Sequence, residues 1–76
     1  MSVELPHLRY VAAAAEHRSF QRAASALNIT QPTLSKRIRE LENRLGVLLF
    51  ERTTGGVHLT AQGEDVLAVA KRVLTD

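Results

Sequence analysis

Apolar residues recur at helical spacing near the start of the chain. The first series predicts a helix that has Pro6 in its first turn and ends near His17, because proline suits a position where no backbone N–H is needed. A second, shorter series follows Ser19, whose hydroxyl favours the N-terminal cap of a helix. The apolar positions are Leu5, Leu8, Val11, Ala12 and Ala15 in the first series and Phe20, Ala23, Ala24 and Leu27 in the second. The chain is therefore expected to begin with two closely connected helices.

A third helix is predicted after an interruption at residues 28–29. Thr30 or Gln31 is placed to cap it, Pro32 lies in its first turn, and Gly46 ends it. The apolar stripe of this helix is Leu34, Ile38, Leu41 and Leu45. Since only about three residues separate the second helix from the third, the pair has the plan of a helix-turn-helix.

The helical period is lost in the segment VLLFERTTGGVHLT, residues 47–60. Two strand-like apolar runs, residues 48–50 and 57–59, flank a Thr-Thr-Gly-Gly turn, which predicts a two-stranded hairpin. Thr60 then caps a fourth helix that has acidic residues near its start and basic residues near its end, as the helix dipole favours. The predicted fold is mainly α: a winged helix-turn-helix with a three-helix core, a short β-hairpin wing over about residues 48–59 and a C-terminal helix.

Composition narrows the classes of function. The chain has 76 residues, 45% of them hydrophobic, which suits one domain with a small core. It has no cysteine, no apolar run long enough for a bilayer and no signal-peptide pattern, so we expect a cytoplasmic protein without a membrane partner. The three histidines lack metal-ligand spacing, and no glycine-rich phosphate loop precedes a helix. We therefore predict no catalytic residue, no metal and no enzymatic activity.

Charge is distributed unevenly along the chain. The formal net charge is only +2, but no acidic residue lies between Glu16 and Glu40. The basic residues within that interval are Arg18, Arg22, Lys36, Arg37 and Arg39. Together with a sequence pI of about 9.7, this cluster matches the footprint of a nucleic-acid-binding domain, although an ordinary solvated basic face has the same charge pattern.

The third helix has a polar face opposite its apolar stripe. Small neutral side chains in its first turn would let it enter a major groove about 12 Å wide. Thr33 can offer its hydroxyl or methyl group to a base, Gln31 can pair with adenine, and Lys36 can donate to guanine. Arg39 lies further along and suits a phosphate, as do the N–H groups that follow Ser19. Each residue alone could be only a cap or a solvated side chain, but their coincidence on one face favours DNA.

The segment from residue 19 to residue 67 resembles the DNA-binding domain of LysR-type transcriptional regulators. The matching positions are Ser19-Phe20, Ala23-Ala24, Leu27, Thr30-Gln31-Pro32, Ser35, Ile38, Leu41-Glu42, Leu45-Gly46, Leu49-Phe50, Arg52 and Leu59-Thr60 with Gly63. The resemblance implies a winged helix-turn-helix at residues 1–60 and the start of a dimerisation or linker helix at residues 61–76. It also implies an effector-binding domain, absent from this chain, that would take a small-molecule co-inducer; no cofactor is expected in the DNA-binding domain itself.

Helix geometry and the resemblance together give two sets of expected DNA contacts. Base contacts are expected from Gln31, Pro32, Thr33, Ser35 and Lys36, and contacts to the backbone or minor groove from Ser19, Thr30, Arg39, Arg52 and Thr53. The recognition helix would span about residues 31–45. A winged helix that binds only protein is the alternative function, but such a module should lack a basic groove face.

Apolar residues of the fourth helix span about 160° of its circumference, which is more than one edge of a small domain requires. These residues are Val66, Leu67, Val69, Ala70, Val73 and Leu74. The excess predicts a two-fold homodimer, whose two recognition helices would bind duplex DNA at an imperfect inverted repeat. The resemblance implies further assembly in the full-length regulator and association with the bacterial nucleoid.

Overall fold

The computed structural model describes residues 4–75 as four helices and one antiparallel hairpin. The elements are α1 (Leu5–His17), α2 (Phe20–Leu27), α3 (Gln31–Leu45), β1 (Phe50–Thr53), β2 (Gly56–Leu59) and α4 (Ala61–Thr75). The predicted mainly α fold, with a hairpin after the third helix, is confirmed. No helix within this described part is long and apolar enough to cross a membrane.

Hydroxyl side chains begin the two helices of the helix-turn-helix. The Ser19 hydroxyl accepts a hydrogen bond from the Arg22 amide at 3.1 Å and thereby caps α2. Thr30, and not Gln31, caps α3, because its hydroxyl accepts from the Thr33 amide at 3.3 Å. These local bonds explain why the sequence predicted both helix starts closely.

The core lies where the three helices and the hairpin meet. Its buried side chains are Val11, Ala14, Phe20, Ala23, Ala24, Leu34, Ile38, Leu41, Leu49, Phe50 and Val57. The predicted stripe of α3 is therefore confirmed at three of its four positions, whereas Leu45 is only partly buried at the edge. Leu5 of the first predicted stripe is 45% exposed, a point that matters for the surface of α4.

The wing begins later than the sequence predicted. Residues 48–49 are not in a strand, β1 runs instead from Phe50 to Thr53, and the turn is only Thr54-Gly55. The reason is a distant carboxylate: Glu42 of α3 accepts from the amide of Leu49 at 2.7 Å and from that of Phe50 at 3.4 Å. Because Glu42 accepts from the Leu49 amide, strand pairing begins only at Phe50, opposite Leu59.

The other side of the wing is bonded to the turn between α1 and α2. The Val57 amide donates to the Arg18 carbonyl at 3.1 Å. Gly56 precedes it with φ +118°, and a Cβ at that position would lie 2.6 Å from the same carbonyl oxygen. Glycine is therefore required where the hairpin meets the helical body.

The first turn of α4 packs directly on the segment between α3 and β1. Thr60 caps α4 as predicted, since its hydroxyl accepts from the Gly63 amide at 2.9 Å. The same hydroxyl donates to the Leu48 carbonyl at 2.6 Å, and the Thr60 amide donates to the Leu49 carbonyl at 3.0 Å. Gly63 lies so close to Leu49 that an added Cβ would be 2.1 Å from that carbonyl oxygen.

Candidate nucleic-acid interface

Small polar side chains at the start of α3 form a hydrogen-bonded group on the surface. The hydroxyls of Thr30 and Thr33 lie 2.8 Å apart, and the Gln31 amide nitrogen donates to the Ser35 hydroxyl at 3.4 Å. Thr30, Gln31, Pro32 and Thr33 are exposed, whereas Ser35 is half-buried. The structure therefore brings the predicted base-contacting residues of the first turn together in one ordered, accessible patch.

Positive charge follows this patch along the same side of α3. Lys36 and Arg39, three residues apart and therefore neighbours on the helix surface, are both exposed. Neither forms an ion pair with any residue between 4 and 75. Arg37 differs, because its guanidinium is held 3.1 Å from the Glu40 carboxylate. Two unpaired cations thus lie beyond the small first turn, as the recognition-helix hypothesis requires.

The wing and the start of α2 lie side by side. The guanidinium carbon of Arg52 is 4.7 Å from the centre of the Phe20 ring, and Phe20 directly follows Ser19. Arg52, which is expected at the DNA backbone, therefore contacts the side chain of the residue that follows Ser19, 32 positions earlier in the chain. The Phe20 ring was assigned only to the core by its spacing, and no sequence signal pointed to its contact with Arg52.

Thr53 has a different local role from the other residues of the predicted backbone set. Its hydroxyl accepts from the Gly55 amide at 3.2 Å and donates to the Gly56 carbonyl at 3.3 Å. The side chain is exposed but engaged in closing the wing turn. A phosphate contact from Thr53 would therefore compete with the bonds that shape the wing.

The histidines lie apart from this surface or serve local structure. His7 is buried at the start of α1, where its Nδ1 accepts from the Glu4 amide at 3.2 Å. His17 ends α1, and His58 is exposed on β2. Within residues 4–75 no group of three histidine, aspartate or glutamate side chains could hold a metal ion.

The apolar residues of α4 divide between two sides of the helix. Ala70 is fully buried in its own domain and is therefore not available for the predicted dimer surface. Leu67 lines a separate cleft beside β2, and Leu74, seven residues later, lies on the same side. Val69 and Val73 are 44% and 48% exposed. With Val66 they border an open apolar groove, here called the α1–α4 groove, that is lined by Leu5, Leu8, Leu45, Asp65, Val66, Val69 and Val73.

Comparison with known proteins agrees with this geometry. A family model described as "Bacterial regulatory helix-turn-helix protein, lysR family" matches residues 5–64. The regulator YnfL of Escherichia coli K12, described as an uncharacterized HTH-type transcriptional regulator, is 48% identical over 75 residues, which are 99% of this chain and 25% of YnfL. The DNA-binding transcriptional dual regulator OxyR of the same organism is 48% identical over 69 residues, which are 91% of this chain and 23% of OxyR.

Solved structures show the same likeness in three dimensions. The BenM DNA-binding domain, in its crystal structure with catB site 1 DNA, superposes with a TM-score of 0.91 at 42% identity. The superposition covers 96% of this chain and 82% of the BenM chain. By contrast, this chain spans about a quarter of the length of YnfL and OxyR. The matched family model, the level of identity and the shared fold show that the chain belongs to the lysR family of bacterial regulatory helix-turn-helix proteins.

Proposed function

We propose that this chain is the DNA-binding domain of a LysR-type transcriptional regulator and binds duplex DNA sequence-specifically through α3. The observation that carries the proposal is the outer face of α3, where a small polar first turn is followed by Lys36 and Arg39, neither of which forms an ion pair within residues 4–75. Such a helix fits the major groove with its N-terminal residues at the base edges. The BenM domain that it resembles at a TM-score of 0.91 was crystallised on DNA, which supports the same role here.

Contacts within this complex divide by chemistry. The exposed first turn of α3 and Lys36 would meet base edges, with Gln31, Pro32, Thr33 and Ser35 as the other members of the base-contacting set. Arg39, Thr30 and the Ser19 end of α2 would hold phosphates, while Arg52 would extend from the wing to the backbone or minor groove. Phosphate contacts of this kind fix the position of the helix, and base contacts supply the specificity.

Replacing Lys36 with alanine tests the base-contact assignment. Bound DNA is first selected from a random pool, and affinity is then measured for the selected duplex and for random duplex by fluorescence anisotropy. We expect Lys36→Ala to cost about 1–3 kcal/mol on the selected site and much less on random DNA. Lys71→Ala, an exposed charge on α4, is the matched control and should leave the preference unchanged. Equal losses on both duplexes would assign Lys36 to phosphate.

Failure of the wild-type protein to bind any duplex at low salt would favour a protein-binding winged helix instead.

Arg52→Ala tests the wing contact. Removing one phosphate-binding charge should weaken binding to all sequences and reduce the slope of log affinity against log salt by about one unit. The measurement is a series of anisotropy titrations from low to high salt, with Arg72→Ala on α4 as a variant of equal net charge. An unchanged slope, combined with altered preference at the ends of the site, would place Arg52 among the base-contacting residues of the minor groove.

Dimerisation is part of the proposed function. The described residues contain one recognition helix, α3, and successive major grooves on one side of DNA lie about 34 Å apart. One copy therefore fills one half-site, whereas a pair joined across the α1–α4 groove could occupy both halves of an imperfect inverted repeat. A full-length regulator would add an effector domain responsive to a small-molecule co-inducer and further assembly, as its family membership suggests.

A further inference from the structure

The Arg52 side chain rests on an aromatic face. Its guanidinium carbon lies 4.7 Å from the centre of the Phe20 ring, within the roughly 6 Å range of an attractive cation–π contact. Arg52 is exposed, and an arginine on an exposed strand would otherwise sample many rotamers. The ring restricts those rotamers and leaves the positive charge free, whereas a carboxylate partner would neutralise it.

The Phe20 ring is itself held in place. Phe20 is buried, and its ring meets that of Phe50 edge to face, with centroids 5.6 Å apart and planes at 78°. Phe50 and Arg52 are two residues apart on β1, so their side chains leave the strand on the same side. Phe50 thus fixes the ring from within the core while Arg52 covers one of its faces.

We infer that Phe20 is a positioning residue for Arg52: its ring holds the wing guanidinium in the orientation that contacts DNA. The inference deepens the proposed function and rests on it for the affinity effect. Phe20 acts through Arg52 and does not itself touch DNA, since its ring is enclosed between Phe50 and the guanidinium. The same aromatic side chain thereby links the core at the start of α2 to the charge carried by the wing.

Side-chain NMR of the free protein tests the stack without DNA. In the wild type the ring current of Phe20 should displace the Arg52 Hδ resonances upfield. Phe20→Leu should abolish the displacement, and Phe20→Tyr, which keeps an aromatic face, should preserve it. Circular dichroism and thermal melting establish that both variants are folded at the temperature used. Arg52 resonances that do not respond to Phe20→Leu would overturn the inference.

DNA affinity measured over a double-mutant cycle tests the consequence for binding. Phe20→Leu should weaken binding about two- to fivefold when Arg52 is present and cause no further loss in the Arg52→Ala background. Phe20→Tyr should restore most of the affinity. Equal losses in both backgrounds would show that Phe20 acts only through the fold, which would overturn its positioning role. Arg52→Ala alone could also leave the affinity and the salt slope unchanged. The wing contact of the proposed function would then be wrong, and so would the positioning role of Phe20 in binding. The Arg52 resonances would still show whether the stack exists in the free protein.

Discussion

Replacing Gly63 with alanine is expected to destabilise the domain by about 3 kcal/mol. The added Cβ would lie 2.1 Å from the Leu49 carbonyl oxygen and 2.8 Å from Leu59 Cδ2, so the backbone of α4 or of the preceding loop must move. Helix propensity alone predicts the opposite sign, because alanine within a helix is favoured over glycine by about 0.5–1 kcal/mol. Urea unfolding followed by circular dichroism measures the difference.

Gly55→Ala is the control for this experiment. Its Cβ would meet the nearest atoms, in Thr53 and His58, at the ordinary distances of 3.8 and 3.9 Å. We expect its effect on unfolding free energy to stay within about 0.5 kcal/mol, as for other surface substitutions. A Gly63→Ala protein as stable as the wild type would show that α4 does not pack on Leu49 as closely as described.

Placing two lysines in the α1–α4 groove is expected to abolish cooperative binding to the inverted repeat. Val69→Lys with Val73→Lys introduces charge at two exposed apolar positions, so the fold should remain while a two-fold interface becomes self-repelling. Affinity for the two-half-site duplex should fall about 100-fold, because the second copy loses its effective concentration. Affinity for an isolated half-site should not fall, since added positive charge favours DNA. Titrations on both duplexes, together with helicity from circular dichroism, measure these effects.

A matched variant separates the effect of disrupting the α1–α4 groove from the effect of added positive charge alone. Ala68→Lys with Thr75→Lys adds the same two charges at exposed positions on the opposite side of α4. It should keep cooperative binding. A folded Val69→Lys, Val73→Lys protein that still fills both half-sites cooperatively would exclude the α1–α4 groove as the dimer surface.

Local chemistry explains which parts of the fold were predictable. Helix starts at Ser19 and Thr30, and the predicted cap at Thr60, follow from bonds to amides only three residues away, which a sequence pattern can represent. The first wing strand begins later than predicted because Glu42 accepts a hydrogen bond from the amide of Leu49, seven residues away, across a change in chain direction. The spacing of apolar residues in the sequence gives no indication of that hydrogen bond.

One residue of the predicted dimer surface, Ala70, is buried in its own domain for a related reason, while the dimer contacts of the other apolar residues of α4 stay a prediction. The width of the apolar arc of α4 does not say which part of the arc faces the domain's own core. Ala70 is enclosed and Val69 is 44% exposed although they are consecutive and both apolar, because α1 covers only one side of the helix. The outer face of α3 was easier to predict, since a fully buried stripe of Leu34 and Leu41 fixes its opposite side.

The attachment of the wing has a kinetic consequence. The wing and its flanking segments are hydrogen-bonded to Glu42 of α3, to the Arg18 carbonyl and to Thr60 at the start of α4, so the hairpin and the recognition helix are held in one arrangement before DNA arrives. The loss of conformational entropy on binding is therefore small for the wing, because the wing is already ordered. Encounter rates would be set by diffusion and charge, and would be similar for many DNA sequences. Discrimination between operators would consequently be expressed in how long each complex survives.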